Sequence, residues 1–414
     1  MSEPKTTPWL TEPVTAKAQR HGTHRAATLE ETWRRVTPLL PDVGVTRVAD
    51  ITGLDIIGIP VATAYRPNSR SLAVSQGKGA TPLASRVSAV MEALEHDHAE
   101  RVDLPLRLAR HAELPRAVAP WTLPRTTTSA VDEYTALLWA AGHRVRDGAP
   151  VGVPYDVVGL DLTLPAGLTP AGLSRDSNGL ASGNTAIEAI VHALCEVIER
   201  DAAALWELTD QTGTRIDPAS VTGAESRELL DRCVAAGTEI ALYDISSDIG
   251  VPAVLCYLVE AEPDPFRPLP PAAGLGCHPC AEVALSRAVT EAAQSRLITI
   301  SGARDDVRRD DYSAAVDVET ATRVRDQLRD AARDVRAWPT GWGVTNDTLR
   351  ADLDWLLERL AAAGIAEPVA VDLTRPDTGI PVFKVVVPGL EGITALTGGG
   401  TLPGERARAV TGRG

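Results

Sequence analysis

The chain has 414 residues, of which 44% are hydrophobic, so it can bury a large core and is not a disordered chain. Its 41 Lys and Arg stand against 55 Asp and Glu, a net charge of −14. That balance argues against nucleic acid as the main partner, because neutralising a phosphate backbone needs clustered cations. There is no apolar run of about eighteen residues to span a membrane. Met1–Ala16 has no apolar stretch of the secretory type. The five cysteines are few and odd in number, which fits a reducing cytoplasm better than a disulfide framework.

In chain order, residues 1–16 read as a flexible polar start, followed by a helical pattern near Leu29–Leu40. Asp55–Tyr65 reads as a buried strand, and the glycine-bearing turn Ser75-Gln-Gly-Lys-Gly79 leads into a helix over about Ala84–Val102. Leu104–Ser129 is broken by prolines, and strand character returns at Val153–Leu162. A second glycine turn, Asn178–Asn184, opens a long helix to about Leu208, and strands follow at Glu239–Ile245 and Val251–Val259. A third turn, Gly274-Leu-Gly276, precedes a helix over Ala281–Ile298. Helices near Val316–Val335 and Thr348–Ala363 and strands at Val369–Leu373 and Val382–Val387 lead to a Gly/Arg-rich tail expected to be disordered. The alternation of strands and helices indicates an α/β (α+β) fold.

One arrangement recurs three times: a glycine turn, then a helix with acids along one edge. Ser88, Glu92 and Glu95 form the first stripe, Glu188, His192, Glu196 and Glu199 the second, and Arg287, Glu291 and Gln294 the third. Any single stripe is most simply a solvated helix face. Apart from Glu196, which has Arg200 four residues on, these acids lack the Lys or Arg at i+4 that pairs such a face, and each stripe follows glycines that let backbone N–H groups approach phosphate. If the stripes converge, two carboxylates about 4 Å apart repel by about 4 kcal/mol at an effective dielectric of about 20. Cations must then hold them, and an oxygen-rich site with phosphate co-ligands suits Mg²⁺. Lys78, Arg200 and Arg296 are the candidate phosphate neutralisers. The chain has neither a G-x-x-x-x-G-K-[ST] loop nor a complete dinucleotide fingerprint or kinase motif set.

Three blocks together resemble the signature of the YcaO family. They are Ser75–Gly79 with Ser88-x-x-x-Glu92-x-x-Glu95; Ser177–Asn184 with Glu188 and Glu196-x-x-Glu199-Arg200-Asp201; and Glu291-x-x-Gln294-x-Arg296. The resemblance implies a YcaO-type fold, with a catalytic domain over 17–395 and a tail over 396–414. It assigns Mg²⁺ to Glu92, Glu95, Glu196 and Glu199, with Asn184 and Glu188 in support, and ATP to Lys78, Gln294 and Arg296. Ser88, Asn178, Arg200 and Glu291 complete the nucleotide set, and Glu196, Glu199 and Arg296 are the catalytic candidates. Arg25, Thr32 and Arg35 resemble the family's N-terminal nucleotide-contacting segment.

The resemblance also implies ATP-dependent O-phosphorylation of a peptide amide. The tail lacks P-x-P-x-P and there is no added leader-binding domain. With Gly22–Arg25, Thr46–Asp55, Gly58–Val61 and Pro381–Glu391, this is similar to the TfuA-associated branch. That branch implies a thioamide product, a TfuA-like partner, a precursor peptide, a sulfide donor and a cytoplasmic homodimer. An azoline-forming cyclodehydratase and a non-catalytic nucleotide-binding scaffold are the alternatives. His192 and His278 are candidate bases. Cys277-x-x-Cys280 lacks a second ligand pair and reads as structural.

Overall fold

Glycine decides how the first layer is built. In the computed structural model, β1 (Arg47–Asp50), β2 (Val61–Tyr65) and β3 (Val74–Lys78) form an antiparallel sheet. Helix α3 (Pro82–Glu100) lies on that sheet. A Cβ on Gly77 would stand 2.0 Å from the Ser85 carbonyl oxygen of α3, so only glycine permits this approach. The structure describes residues 7–163, 172–209, 214–262, 269–303, 335–392 and 402–412, with scattered positions between 319 and 328. Most of the helix expected near Val316–Val335 lies outside the described residues.

The strand–turn–helix unit occurs twice more. Strands β4 (Arg107–Arg110), β5 (Ala136–Arg144), β6 (Pro150–Pro154) and β7 (Leu180–Ser182) join β13 (Val369–Asp372) and β14 (Val382–Val386) in a six-stranded sheet ordered β4-β5-β13-β14-β7, with β6 on β5. From β7 the chain enters α4 (Ala186–Leu208), whose Leu194 and Ile198 pack with Phe383 and with Leu353 and Leu356 of the later helix Leu349–Ala362. The third sheet holds β8 (Thr214–Ile216), β9 (Thr238–Asp244), β10 (Ala253–Glu260), β11 (Ala272–Cys277) and β12 (Val335–Arg336), ordered β11-β10-β9-β8-β12. From β11 the chain enters α6 (Ala281–Ser301), which shares a core with α5 (Ala224–Ala235) through Leu285, Val289 and Leu230. Gly274 and Gly276 lie within β11, and a Cβ on either would stand 2.1 or 2.0 Å from backbone atoms of α6. In the first and third units the glycines seat helices on strands and do not form phosphate-cradling turns. This corrects the sequence expectation.

Residues 7–16 and 402–412, expected from the sequence to be flexible or disordered, pack against the fold. Trp9, in α1 (Pro8–Thr11), is fully buried, and its indole N–H donates to the Val145 carbonyl at 2.9 Å. Glu12 accepts from the Ala186 and Ile187 N–H groups at 2.7 and 3.0 Å, which occupies the N-terminus of α4. That helix start is therefore capped by protein and is not an anion site. At the other end, the helix Glu405–Thr411 docks behind α4. Arg406 forks onto Asp201 with two 3.0 Å bonds, and Glu391 accepts from the Gly404 and Ala407 N–H groups at 2.8 Å. Among the described residues, no helix is long and apolar enough to cross a membrane.

Candidate active site

Alternation along β3 turns Ser75 and Gly77 toward α3, and leaves Val74, Gln76 and Lys78 facing a cavity of about 880 Å³. Helices α3, α4 and α6 close this cavity with the edges that carry the acidic stripes. Glu92 and Glu95 enter from α3; Glu188, His192, Glu196, Glu199 and Arg200 from α4; Arg287, Glu291 and Gln294 from α6. Ser88, Asn178, Asn184, Arg25, Thr32 and Lys78 line it as well. Threonine caps set the first two helices. Thr81 Oγ1 accepts from the Ala84 N–H at 3.2 Å, and Thr185 Oγ1 from the Glu188 N–H at 3.1 Å.

The acids fall into two electrostatic kinds. Glu95 Oε1 accepts from the Ser182 N–H and hydroxyl at 2.8 and 2.7 Å, yet burial pushes its carboxyl up to about 7. Burial pushes Glu196 up to about 7 too, with the neighbouring charges of Glu199 and Glu95 adding to it against Arg200. Glu199 is raised by burial, and its Oε1 lies 3.7 Å from Arg200 Nη1. Glu291 behaves in the opposite way. Burial opposes its charge, but an ion pair with Lys78 and the nearby Arg200 outweigh it and hold the carboxyl below its ordinary range. Glu188 is likewise provided for: it accepts from the Ala26 N–H at 2.8 Å and from Asn184 Nδ2 at 3.2 Å, with Arg25 Nε 3.6 Å away.

Mg–ATP fits this donor set. Carboxylates raised by burial and by one another are relieved by a divalent cation, and an all-oxygen set suits Mg²⁺. Glu199 Oε2 and Asn178 Oδ1 are buried without a hydrogen-bond partner, although both residues face the cavity. Glu92, Glu95, Glu196 and Glu199 are the residues that would hold the metal. Lys78, Arg25, Arg200 and Arg287 surround the space left for anionic oxygens.

Two of the proposed contacts sit elsewhere. Arg296 is 3% exposed and points away from the cavity, donating to Asp55 at 2.9 Å and Glu260 at 3.0 Å. Two residues along a helix turn the side chain by about 200°, so Arg296 cannot share the face of Gln294. It ties α6 to the loop before β2. Arg35 is on the outer side of α2 (Leu29–Val36), where it donates to the carbonyls of Asn184 (3.0 Å) and Gly379. It braces the Asn184 loop from outside, whereas Thr32 reaches Asn184 Oδ1 within, at 3.0 Å.

The histidines also differ from expectation. His192 faces the cavity, but its Nε2 lies 3.0 Å from Arg287 Nη1, and burial beside that cation lowers it well below the ordinary value. Its lone pair is engaged, so it serves as a neutral wall rather than a free base. His278 does not line the cavity; its Nδ1 accepts from the Cys280 N–H at 2.9 Å. His24, His278 and Asp352 are grouped closely enough for a metal, yet Lys17 Nζ fills the place, 3.0 Å from His24 Nδ1 and 2.6 Å from Asp352 Oδ2. Burial holds the Cys277 thiol well above its ordinary value, as expected of a structural cysteine.

The pattern of the sequence missed Ser182, whose bonds orient Glu95, and Lys384. Lys384 is 3% exposed; its Nζ donates to the Asp176 carbonyl at 2.7 Å, and its charge faces Glu196. A lysine inside the apolar strand Val-Phe-Lys-Val-Val was the available signal.

Comparison with known proteins identifies the family. Residues 76–391 match the family model described as YcaO cyclodehydratase, ATP- and Mg²⁺-binding. An uncharacterized protein in the tfuA 3′ region of Rhizobium leguminosarum bv. trifolii is 38% identical over 377 residues, covering 89% of this chain and 88% of its own. An uncharacterized protein of Methanothermobacter thermautotrophicus is 35% identical over 364 residues, covering 87% and 93%. Among solved structures, a heterocyclase in complex with substrate and cofactor superposes with a TM-score of 0.76 at 24% identity, over 92% of this chain and 54% of that one. This chain thus spans about half of that heterocyclase. The YcaO protein of Methanopyrus kandleri bound with AMPPCP and Mg²⁺ superposes with a TM-score of 0.71 at 24% identity, over 91% and 94%. Fold, cavity and family match lead to one conclusion: the chain belongs to the YcaO family of ATP-dependent, Mg²⁺-binding enzymes.

Proposed function

We propose that this protein activates a backbone amide of a ribosomally made peptide or protein by ATP-dependent phosphorylation of its oxygen, and that sulfur replaces the oxygen to give a thioamide. The observation that carries the reading is the convergence of Glu92, Glu95, Glu196 and Glu199 with Lys78, Arg25 and Arg200 around one cavity. Amide oxygen is a poor leaving group, and bound Mg–ATP supplies the phosphoryl group with which it can depart as phosphate. The four glutamates fix the metal; Lys78, Arg25 and Arg200 neutralise phosphate charge; Ser88, Asn178, Asn184 and Gln294 orient the nucleotide. Arg287, held by His192, adds a positive wall on the same side. In the balanced reaction, amide, hydrosulfide and ATP give thioamide, ADP and phosphate.

The choice of sulfur is supported by a relative encoded in the tfuA 3′ region, which also points to a TfuA-like partner as peptide carrier, sulfur supplier or both. The heterocyclase likeness supports the second reading, an azoline formed by a neighbouring Cys, Ser or Thr. Mass spectrometry of the precursor peptide after incubation with ATP, Mg²⁺, sulfide and the TfuA-like partner separates them. A gain of about 16 Da marks oxygen replaced by sulfur, and a loss of about 18 Da marks ring closure. ADP release without any mass change would leave neither standing.

A further inference from the structure

Gln76 has no part in the site described so far, yet it is the side chain there whose hydrogen-bonding capacity is least used. It is 5% exposed and lines the cavity. Both Nε2 and Oε1 lack a hydrogen-bond partner. A buried primary amide left wholly unsatisfied costs stability, so its presence points to a ligand that completes it. A carboxamide presents a donor and an acceptor side by side, so it complements a group that presents an acceptor and a donor in the same spacing. An extended residue of a peptide, whose own N–H and C=O point the same way, is such a group, and so is the edge of adenine.

Position decides between them. Gln76 lies on β3 two residues before Lys78, and its own backbone N–H is 3.4 Å from Glu92 Oε1. It is therefore on the metal side of the cavity. Arg25 and Asn184 are tied instead to Glu188, and Thr32 to Asn184. Phosphoryl transfer brings the accepting amide to the metal side. We propose that Gln76 is the residue that grips the peptide backbone at the reacting centre, its Nε2 donating to a backbone carbonyl and its Oε1 accepting a backbone N–H. The contact reads main chain rather than side chain, so it aligns any peptide sequence the protein accepts. This inference rests on the reading of the cavity as the meeting place of Mg–ATP and a peptide amide.

The test uses the full chain with two probes: Mg–AMPPCP, followed by calorimetry, and N-acetyl-triglycine amide, followed by saturation-transfer NMR in the presence of Mg–AMPPCP. The second probe offers peptide groups and no side chains. The wild type is expected to bind both. Gln76→Met keeps the volume and removes the amide. It is expected to weaken the triglycine probe at least tenfold, to change AMPPCP affinity less than twofold, and to raise the melting temperature, because a buried unsatisfied amide is gone. Gln76→Asn, which keeps the amide but withdraws it, is expected to weaken the probe by an intermediate factor, and it serves in place of the first variant should that one fail to fold. Loss of AMPPCP affinity in step with the probe would overturn the proposal in favour of a nucleotide contact. A lowered melting temperature with unchanged probe binding would make Gln76 structural. If the wild type binds AMPPCP but not the triglycine probe, the backbone contact is wrong while the ATP site stands; if it does not bind AMPPCP, the reading of the cavity itself fails.

Discussion

Helices α3 and α4 face the cavity with carboxylates that burial pushes toward neutrality, whereas α6 faces it with a carboxylate already matched by lysine. Both arrangements come from the same unit, a strand followed by a helix seated against it. The difference lies in the counter-charge. Glu291 has Lys78 in its ion pair, so on the proposed reading it positions that lysine rather than binding metal. Glu95 has burial and Glu92 to contend with, Glu196 has burial, Glu199 and Glu95, and a divalent cation would relieve both. On the proposed reading, the acids that burial still raises despite Arg200 would form the metal side, and the acid that Lys78 outweighs would lie on the phosphate side.

The comparison is broken most forcefully at α4. Glu196→Gln should lower ADP release on the order of 10³-fold with little loss of folding, since it removes a metal ligand and keeps the shape. Stopped or continuous ADP assays check this, and activity within a few-fold of wild type would refute the metal role. Next is the support behind the same helix. Arg406→Ala leaves Asp201, which burial pushes up to about 6, without its guanidinium partner. Urea unfolding should then show a loss of about 2–3 kcal/mol. On the matched side, Lys78→Met should weaken nucleotide binding by about tenfold. The double variant with Glu291→Gln should recover stability without recovering affinity, because the pair and not the acid alone serves the phosphates. Calorimetry of all three proteins tests this.

The mildest effect is that of pH. Glu95 and Glu196 move from an ordinary 4.5 to about 7 on folding, so the native state holds their protons where the unfolded chain has released them. Without metal, this contribution to stability is full below 4.5 and is lost as pH rises to about 7. With Mg²⁺ the loss should shrink, and Mg²⁺ affinity should rise through the same interval as protons are displaced. Melting temperatures across pH 4.5–7.5, with and without the metal, give the sign.

The three acidic helices were legible because a period of 3.6 residues puts i, i+4 and i+7 on one edge whatever surrounds it. Convergence then brought sixteen of the side chains named from the sequence to one cavity. Arg296 failed for the same geometric reason, since it is two residues from Gln294 and hence on the other side of α6. Arg35 failed because a resemblance in sequence does not say which face of α2 looks inward. The expected strand at Asp55–Tyr65 begins only at Val61, where Gly58 with φ of 73° and Pro60, which has no N–H, delay pairing. Ala136–Arg144 shows no strict alternation and was not read as a strand. The docking of residues 7–12 and 402–412 left no local trace: Trp9 meets a carbonyl 136 residues away, Glu12 an N–H 174 away, and Arg406 an acid 205 away. Such contacts are settled by packing and not by neighbours in the chain.

The account depends most directly on a metal-dependent nucleotide site made by α3 and α4. Titration of AMPPCP into the protein with and without Mg²⁺, repeated on Glu92→Gln and Glu196→Gln, tests it. The account predicts binding that requires Mg²⁺ and that weakens at least tenfold in both variants. Equal affinity without the metal, or variants that bind as the wild type does, would contradict it.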